Sequence, residues 1–170
     1  MASSLWLRVK LIIGLVLVMI GVHIVNVLLG HQLGYYGIIP RSEPHWFHIF
    51  TSPFIHGNLG HLLNNLFGLA IFSAFCLLRS VSFYLLSSLF IITMTGALVW
   101  LFGREAIHIG ASGWIFGLWS LSIAMALFDR RFINIVSGVL VFFFYGGMIY
   151  GVLPSDPNVS FEAHFSGALS

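Results

Sequence analysis

Two short strings carry side chains able to do chemistry: Gly110-Ala111-Ser112-Gly113 and Ala163-His164-Phe165-Ser166-Gly167. Each opens a hydrophobic segment and puts a reactive group where a membrane span normally holds an apolar one. A serine hydroxyl is a weak nucleophile until a base takes its proton, and a neutral imidazole suits that task. Ser112 would begin a helix, where unpaired N–H groups and the helix dipole favour negative charge. Those N–H groups could donate to the oxyanion of a tetrahedral intermediate. His61 and Asn65 lie four residues apart, share one helical face, and could add side-chain donors. His56 lies just before them, separated by Gly57 and Gly60. Gly110 and Gly113 leave room for a substrate backbone to approach closely. Gly113 and Gly117 form a G-x-x-x-G pair, and Gly167 follows His164 by three residues. Small residues let helices pack at short range, which would bring His164 to Ser112.

Each feature also has a structural reading. Serines and glycines are common where membrane helices meet, and a histidine inside a span often serves as a hydrogen-bonded packing residue. His61 with Asn65 could be an interhelical clamp. His56, His61, His108 and His164 could hold a metal, since imidazole is a common zinc ligand, although no H-E-x-x-H string and no cysteine pair accompany them. The expectation is no metal and no cofactor. His23 and Asn26, without evident partners in the sequence, read as structural.

The elements that must position these groups follow from composition. The chain has 170 residues, 59% hydrophobic and 7% charged. Soluble domains carry about 25% charged residues, so this chain reads as an integral membrane protein, expected to form a single domain over 1–170. Its net charge of +2 gives no reason to expect a nucleic-acid partner. Cys76 is alone and sits in an apolar run, as packing. About 20 apolar residues cross a bilayer core as a helix. Five such runs are read, at roughly 10–30, 61–79, 82–102, 112–128 and 132–153, with a sixth beginning near Glu162. They are continuous rather than alternating, so the fold class is all-α, a polytopic transmembrane bundle. Residues 162–170 are expected to be an incomplete sixth span, because six residues after His164 cover only about 9 Å.

Arg8, Lys10, Arg79, Arg130 and Arg131 fall on one side of this map, Arg41 and Arg104 on the other. The excess places the N-terminus in the cytoplasm. Segments 31–60, 103–111 and 154–161 then face outward, as do the starts of the segments carrying His61, Ser112 and His164. Segment 31–60 holds Tyr35, Tyr36, Trp46, Phe47, Phe50 and Phe54, an aromatic density expected in the headgroup zone.

Taken together, these strings resemble the rhomboid family of intramembrane serine proteases. The stretch from Trp46 to Asn65 is similar to that family's aromatic first outer loop and its H-x-x-x-N motif. GASGWIFG at 110–117 is similar to the serine motif, and AHFSG at 163–167 to the histidine motif. The resemblance covers about Trp46 to Gly167. It implies a six-helix core with Ser112 as nucleophile and His164 as general base, without a third acid. It implies an oxyanion site from the Ser112 N–H, Asn65 and His61, with His56 in support. Phe116 matches a position often held by tyrosine, whose ring packs on the catalytic histidine. It also implies the fifth span as lateral gate and loop 154–161, with Pro154 and Pro157, as a cap. His48 stands where the family commonly has an arginine, and Ser52 where some relatives have another histidine.

The function expected is intramembrane serine endopeptidase, cleaving transmembrane segments of other membrane proteins from an active site opening to the outer side of a prokaryotic cell membrane. The alternative is a catalytically silent rhomboid-like module that binds membrane clients. A small transporter is disfavoured by the low charge content and the absence of an obvious internal repeat. Oligomeric state is not legible in the sequence.

Overall fold

The computed structural model describes residues 2–129, 131–154 and 159–170. Arg130, used above for orientation, and Pro157, assigned to the cap, lie outside the described residues. Among those described are six α-helices: α1 (Ala2–Leu28), α2 (Leu59–Arg79), α3 (Val81–Phe102), α4 (Ser112–Phe128), α5 (Phe132–Tyr145) and α6 (Phe161–Leu169). The fold is an all-α bundle, as expected, and the chain is an integral membrane protein. α1, α2, α3 and α5 with its extension are long and apolar enough to cross a bilayer. Around them Leu17, Leu86 and Phe143 are more than half exposed. A belt of that kind needs lipid rather than water around it.

The helix ends follow from capping chemistry. Asn58 caps α2 by accepting from the His61 N–H, which moves the start of that helix ahead of the expected residue 61. Ser80 is fully extended between α2 and α3 and caps the latter through the Phe83 N–H. Ser160 caps α6 through the Ala163 N–H. The first helix starts at Ala2 rather than near residue 10. Hydropathy marks the lipid-buried length, whereas a helix can extend past it into water. The fifth run is α-helical only to Tyr145 and continues to Val152 as a 3₁₀ segment beginning at the Gly146-Gly147 pair.

α4 lies at the centre and packs against α2, α3, α5 and α6. Its 17 residues are fewer than a full crossing needs, and Gly113 through Trp119 are all buried. In lipid, apolar burial supplies little drive for helices to associate, so close packing must supply it. Gly113 and Gly117 of α4 face Gly167 of α6, and a methyl group placed on Gly167 would overlap the Gly113 carbonyl. A methyl group placed on Gly138 of α5 would overlap the Ala126 methyl of α4. At the far end Asp129 pairs with Arg79 and, at 3.3 Å, with Arg131, joining α2 to the α4–α5 turn.

The 29–58 connection is pinned to the end of α3. The Arg41 guanidinium donates to the carbonyls of Gly103 (2.9 Å) and Leu101 (3.4 Å), the last acceptors of that helix. The Trp100 indole donates back to the Ser42 carbonyl at 3.1 Å. His48, which stands where an arginine is common, is buried and hydrogen-bonded to the Gly37 carbonyl at 2.9 Å. Arg41 is the cation that ties this connection to α3. Tyr35, Tyr36, Trp46, Phe47 and Phe50 remain exposed on this connection.

Candidate active site

Ser112 is the first residue of α4. Its preceding residue, Ala111, offers no side-chain cap, so the first N–H groups of the helix have no partner of that kind. The approach to it is held by a glycine: Gly110 has φ of +110°, its N–H donates to the Ser52 carbonyl at 2.9 Å, and an added Cβ would lie 2.5 Å from His61 Nε2. Positive φ and a ring in contact both select against a side chain here. Gly110→Ala is accordingly expected to push the His61 ring aside and cost about 1–3 kcal/mol, read as a drop in melting temperature in detergent. An unchanged Tm would show that the backbone at this site is free to relax.

His164 is the fourth residue of α6 and half-buried. Its Nδ1 lies 2.9 Å from the Gly151 carbonyl oxygen. A carbonyl only accepts, so in the neutral ring Nδ1 carries the proton and Nε2 keeps a free lone pair. The ring stacks on Phe116, with centroids 4.2 Å apart and planes 12° from parallel. Phe116 thus provides the ring contact that the resemblance implies, without a hydroxyl. Gly151 lets that stack form, since a Cβ there would sit 2.8 Å from Phe116 Cζ.

A cavity of about 890 Å³ is lined by Ser112, His164, His61, Asn65 and Phe116, together with Asn58, Asn64 and Ser160. Three separate helices, α2, α4 and α6, therefore deliver their polar residues to one space. No hydrogen bond links Ser112 Oγ to His164 among the described residues. Asn65 is buried, and its Nδ2 has no hydrogen-bond partner among the described residues. A donor kept in that state is costly unless something else occupies it. His56, Gly110, Gly113 and Gly167 do not line this cavity.

His56 is fully buried, with its ring 4.9 Å from that of His61 at 70°. Burial, and secondly the neighbouring His61, hold its pKa down to about 4. Because the folded value lies below the ordinary one, stability is complete above pH 6.5 and is lost as pH falls from 6.5 toward 4. The loss attributable to this residue is about 3 kcal/mol. Melting curves of wild type and His56→Phe across that range are expected to converge as the pH falls; parallel curves would contradict the assignment.

Asn26 has the structural role that its type suggests, through partners with no signal in the sequence. Its Nδ2 donates to the His56 carbonyl at 3.3 Å, and its Oδ1 accepts from the Leu33 N–H at 3.0 Å. It clamps the turn before α2 onto α1. Neither this clamp nor the Gly151 carbonyl that orients His164 carries a sequence signal, because one partner in each is backbone.

Comparison with known proteins adds the following. The rhomboid domain profile matches residues 43–170. An uncharacterized protein of Mycobacterium tuberculosis is 31% identical over 158 residues, covering 88% of this chain and 66% of the relative. One of Mycobacterium leprae is likewise 31% identical, covering 88% of this chain and 62% of the relative. Rhomboid-like protein 11, chloroplastic, of Arabidopsis thaliana is 33% identical over 144 residues, 76% of this chain and 51% of its own length. This chain spans just under two thirds of the mycobacterial relatives it matches. No solved structure matches it. With the profile running through the H-x-x-x-N, serine and histidine strings over most of the sequence, the chain belongs to the rhomboid family.

Proposed function

We propose that this protein is an intramembrane serine endopeptidase with Ser112 as nucleophile and His164 as general base. The observation that carries the reading is the contact of His164 Nδ1 with the Gly151 carbonyl: it assigns the proton to Nδ1 and leaves Nε2 as the basic nitrogen, in the cavity that Ser112 also lines. A resting hydrogen bond between nucleophile and base is not required, because such contacts commonly tighten only when substrate binds.

In the proposed reaction Ser112 Oγ attacks the carbonyl carbon of a peptide bond while His164 Nε2 takes the hydroxyl proton. The oxyanion accepts from the Ser112 N–H, Asn65 Nδ2 and His61. Collapse of the intermediate breaks the C–N bond, and the imidazolium returns its proton to the departing amine. Water then hydrolyses the serine ester by the same route. Helical substrates hide their carbonyls in hydrogen bonds, so cleavage favours transmembrane segments that unwind locally at small or helix-breaking residues. A fourth helix too short for a full crossing would set Ser112 below the lipid surface, and the polar cavity would bring it water. The orientation proposed has a cytoplasmic N-terminus and a cavity opening outward. The mycobacterial relatives support placing the protein in a prokaryotic cell membrane. α5 as lateral gate and the residues around Pro154 as cap belong to the same proposal.

The test is a fluorophosphonate probe on the protein in detergent or liposomes. Labelling is expected at Ser112, absent in Ser112→Ala. Labelling that persists in Ser112→Ala assigns the nucleophile elsewhere, and none at all favours a silent client-binding module. Asn65→Ala is expected to lower kcat by about 10²–10³-fold. Tm should fall by far less than turnover does, since the Asn65 amide nitrogen has no hydrogen-bond partner to lose among the described residues. A rate within threefold of wild type would take Asn65 out of the oxyanion site.

A further inference from the structure

The segments that carry Ser112 and His164 meet on both sides of that pair. Below the pair, Gly167 of α6 presses on the Gly113 carbonyl of α4. Above it, four residues before each, His108 meets Ser160: Nδ1 and Oγ are 2.7 Å apart. His108 is buried, and its backbone exchanges both hydrogen bonds with Ile38 at 2.9 Å, so the residue is fixed to the 29–58 connection. Its Nε2 lies 3.1 Å from the Arg104 carbonyl oxygen, which can only accept. In the neutral ring the proton therefore sits on Nε2, and Nδ1 accepts from the Ser160 hydroxyl. The same oxygen accepts from the Ala163 N–H, adjacent to His164. Arg104 adds a parallel link, donating to the Val159 carbonyl at 2.9 Å and approaching Glu162 Oε1 at 3.6 Å.

We propose that His108 and Ser160 are positioning residues: their hydrogen bond is a strut that fixes the spacing of Ser112 and His164 across the cavity. The proposal rests on the protease reading for its catalytic consequence, but the spacing itself can be measured without turnover. The Gly113–Gly167 contact, beside the neighbouring Gly113–Ala163 and Gly117–Gly167 approaches, fixes α6 on α4 below His164. The strut supplies the second fixed point, and His164 lies between the two. At the start of α6 this bond acts together with the Arg104 link, while the Gly151 carbonyl and the Phe116 ring orient the imidazole itself.

The test compares His108→Leu with His108→Asn. Both lose the Arg104 carbonyl bond, while asparagine keeps a polar amide where Nδ1 stood. His108→Leu is expected to lower kcat by about 10²-fold, with KM within threefold, as a displacement near 1 Å does. His108→Asn is expected to regain most of that loss. Ser160→Ala and Ser160→Thr form a second pair with the same expectation, should the leucine variant fold poorly. The measurement independent of activity is oxidative cross-linking of a Ser112→Cys, His164→Cys chain, with the buried Cys76 changed to Ala. His108→Leu in that background should slow cross-linking several-fold, and His108→Asn should restore it. Equal cross-linking rates in all three backgrounds would overturn the strut. A strut upheld by cross-linking in a protein that no fluorophosphonate labels would overturn the protease reading instead.

Discussion

Replacing His164 by alanine is expected to lower kcat/KM for a transmembrane substrate by about 10³- to 10⁶-fold, the range seen when a serine hydrolase loses its base. The loss comes from chemistry rather than from folding. His164 is half-buried and holds one hydrogen bond, to the Gly151 carbonyl, and one stacking contact, on Phe116. Those contribute about 1–2 kcal/mol together, a small part of a helix bundle's stability. The variant should therefore keep its fold while its serine hydroxyl has no acceptor for its proton. Turnover of a transmembrane peptide in proteoliposomes, normalised to the fraction of folded protein, measures the effect. A loss below tenfold would show that another group serves as base, and His61, which lines the same cavity, would be the first to examine.

The spans were legible because a chain with 7% charged residues has few places to put water-exposed backbone, so runs of apolar residues map directly onto helices. Their ends were less so. Asn58 moves α2 forward by capping it, and Gly146 begins a 3₁₀ segment inside what hydropathy reads as one uniform span. At the site, Ser112, His164, His61 and Asn65 could be singled out because their types are out of place in lipid and their order repeats that of a known family. The structure puts all four on one cavity. What escaped notice was every contact in which a backbone atom or an ordinary surface residue does the positioning. The Gly151 carbonyl that fixes the His164 tautomer has no side chain to read. Arg41, a topology marker by its charge, is also the clamp on the end of α3, and its carbonyl partners have no side chain to read. His108 drew attention only as one of several histidines. Its bond to Ser160 depends on two loops meeting, and neither loop's sequence signals the other.

The contact between Gly113 and Gly167 gives the second large effect. In a membrane, replacing a small interface residue does not merely add apolar surface, because lipid is as apolar as any side chain; it removes the approach on which the packing depends. The atom facing Gly167 is the backbone carbonyl of Gly113, which cannot rotate away as a side-chain end can. A valine at 167 must therefore drive α6 off α4. The same interface is close one turn earlier in α6, where a Cβ at Gly113 would lie only 3.0 Å from the Ala163 carbonyl oxygen. Gly167→Val is expected to lower stability by about 1–3 kcal/mol. It should also lower turnover by at least about 10²-fold, since His164 is three residues away on the displaced helix. Gly14→Ala in α1 is the control, as nothing lies within 4 Å of its Cβ position. There a mid-helix alanine should leave turnover unchanged and raise Tm slightly. If Gly167→Val matched wild type in both Tm and turnover, the close approach of α4 and α6 would not be what holds Ser112 and His164 in one cavity.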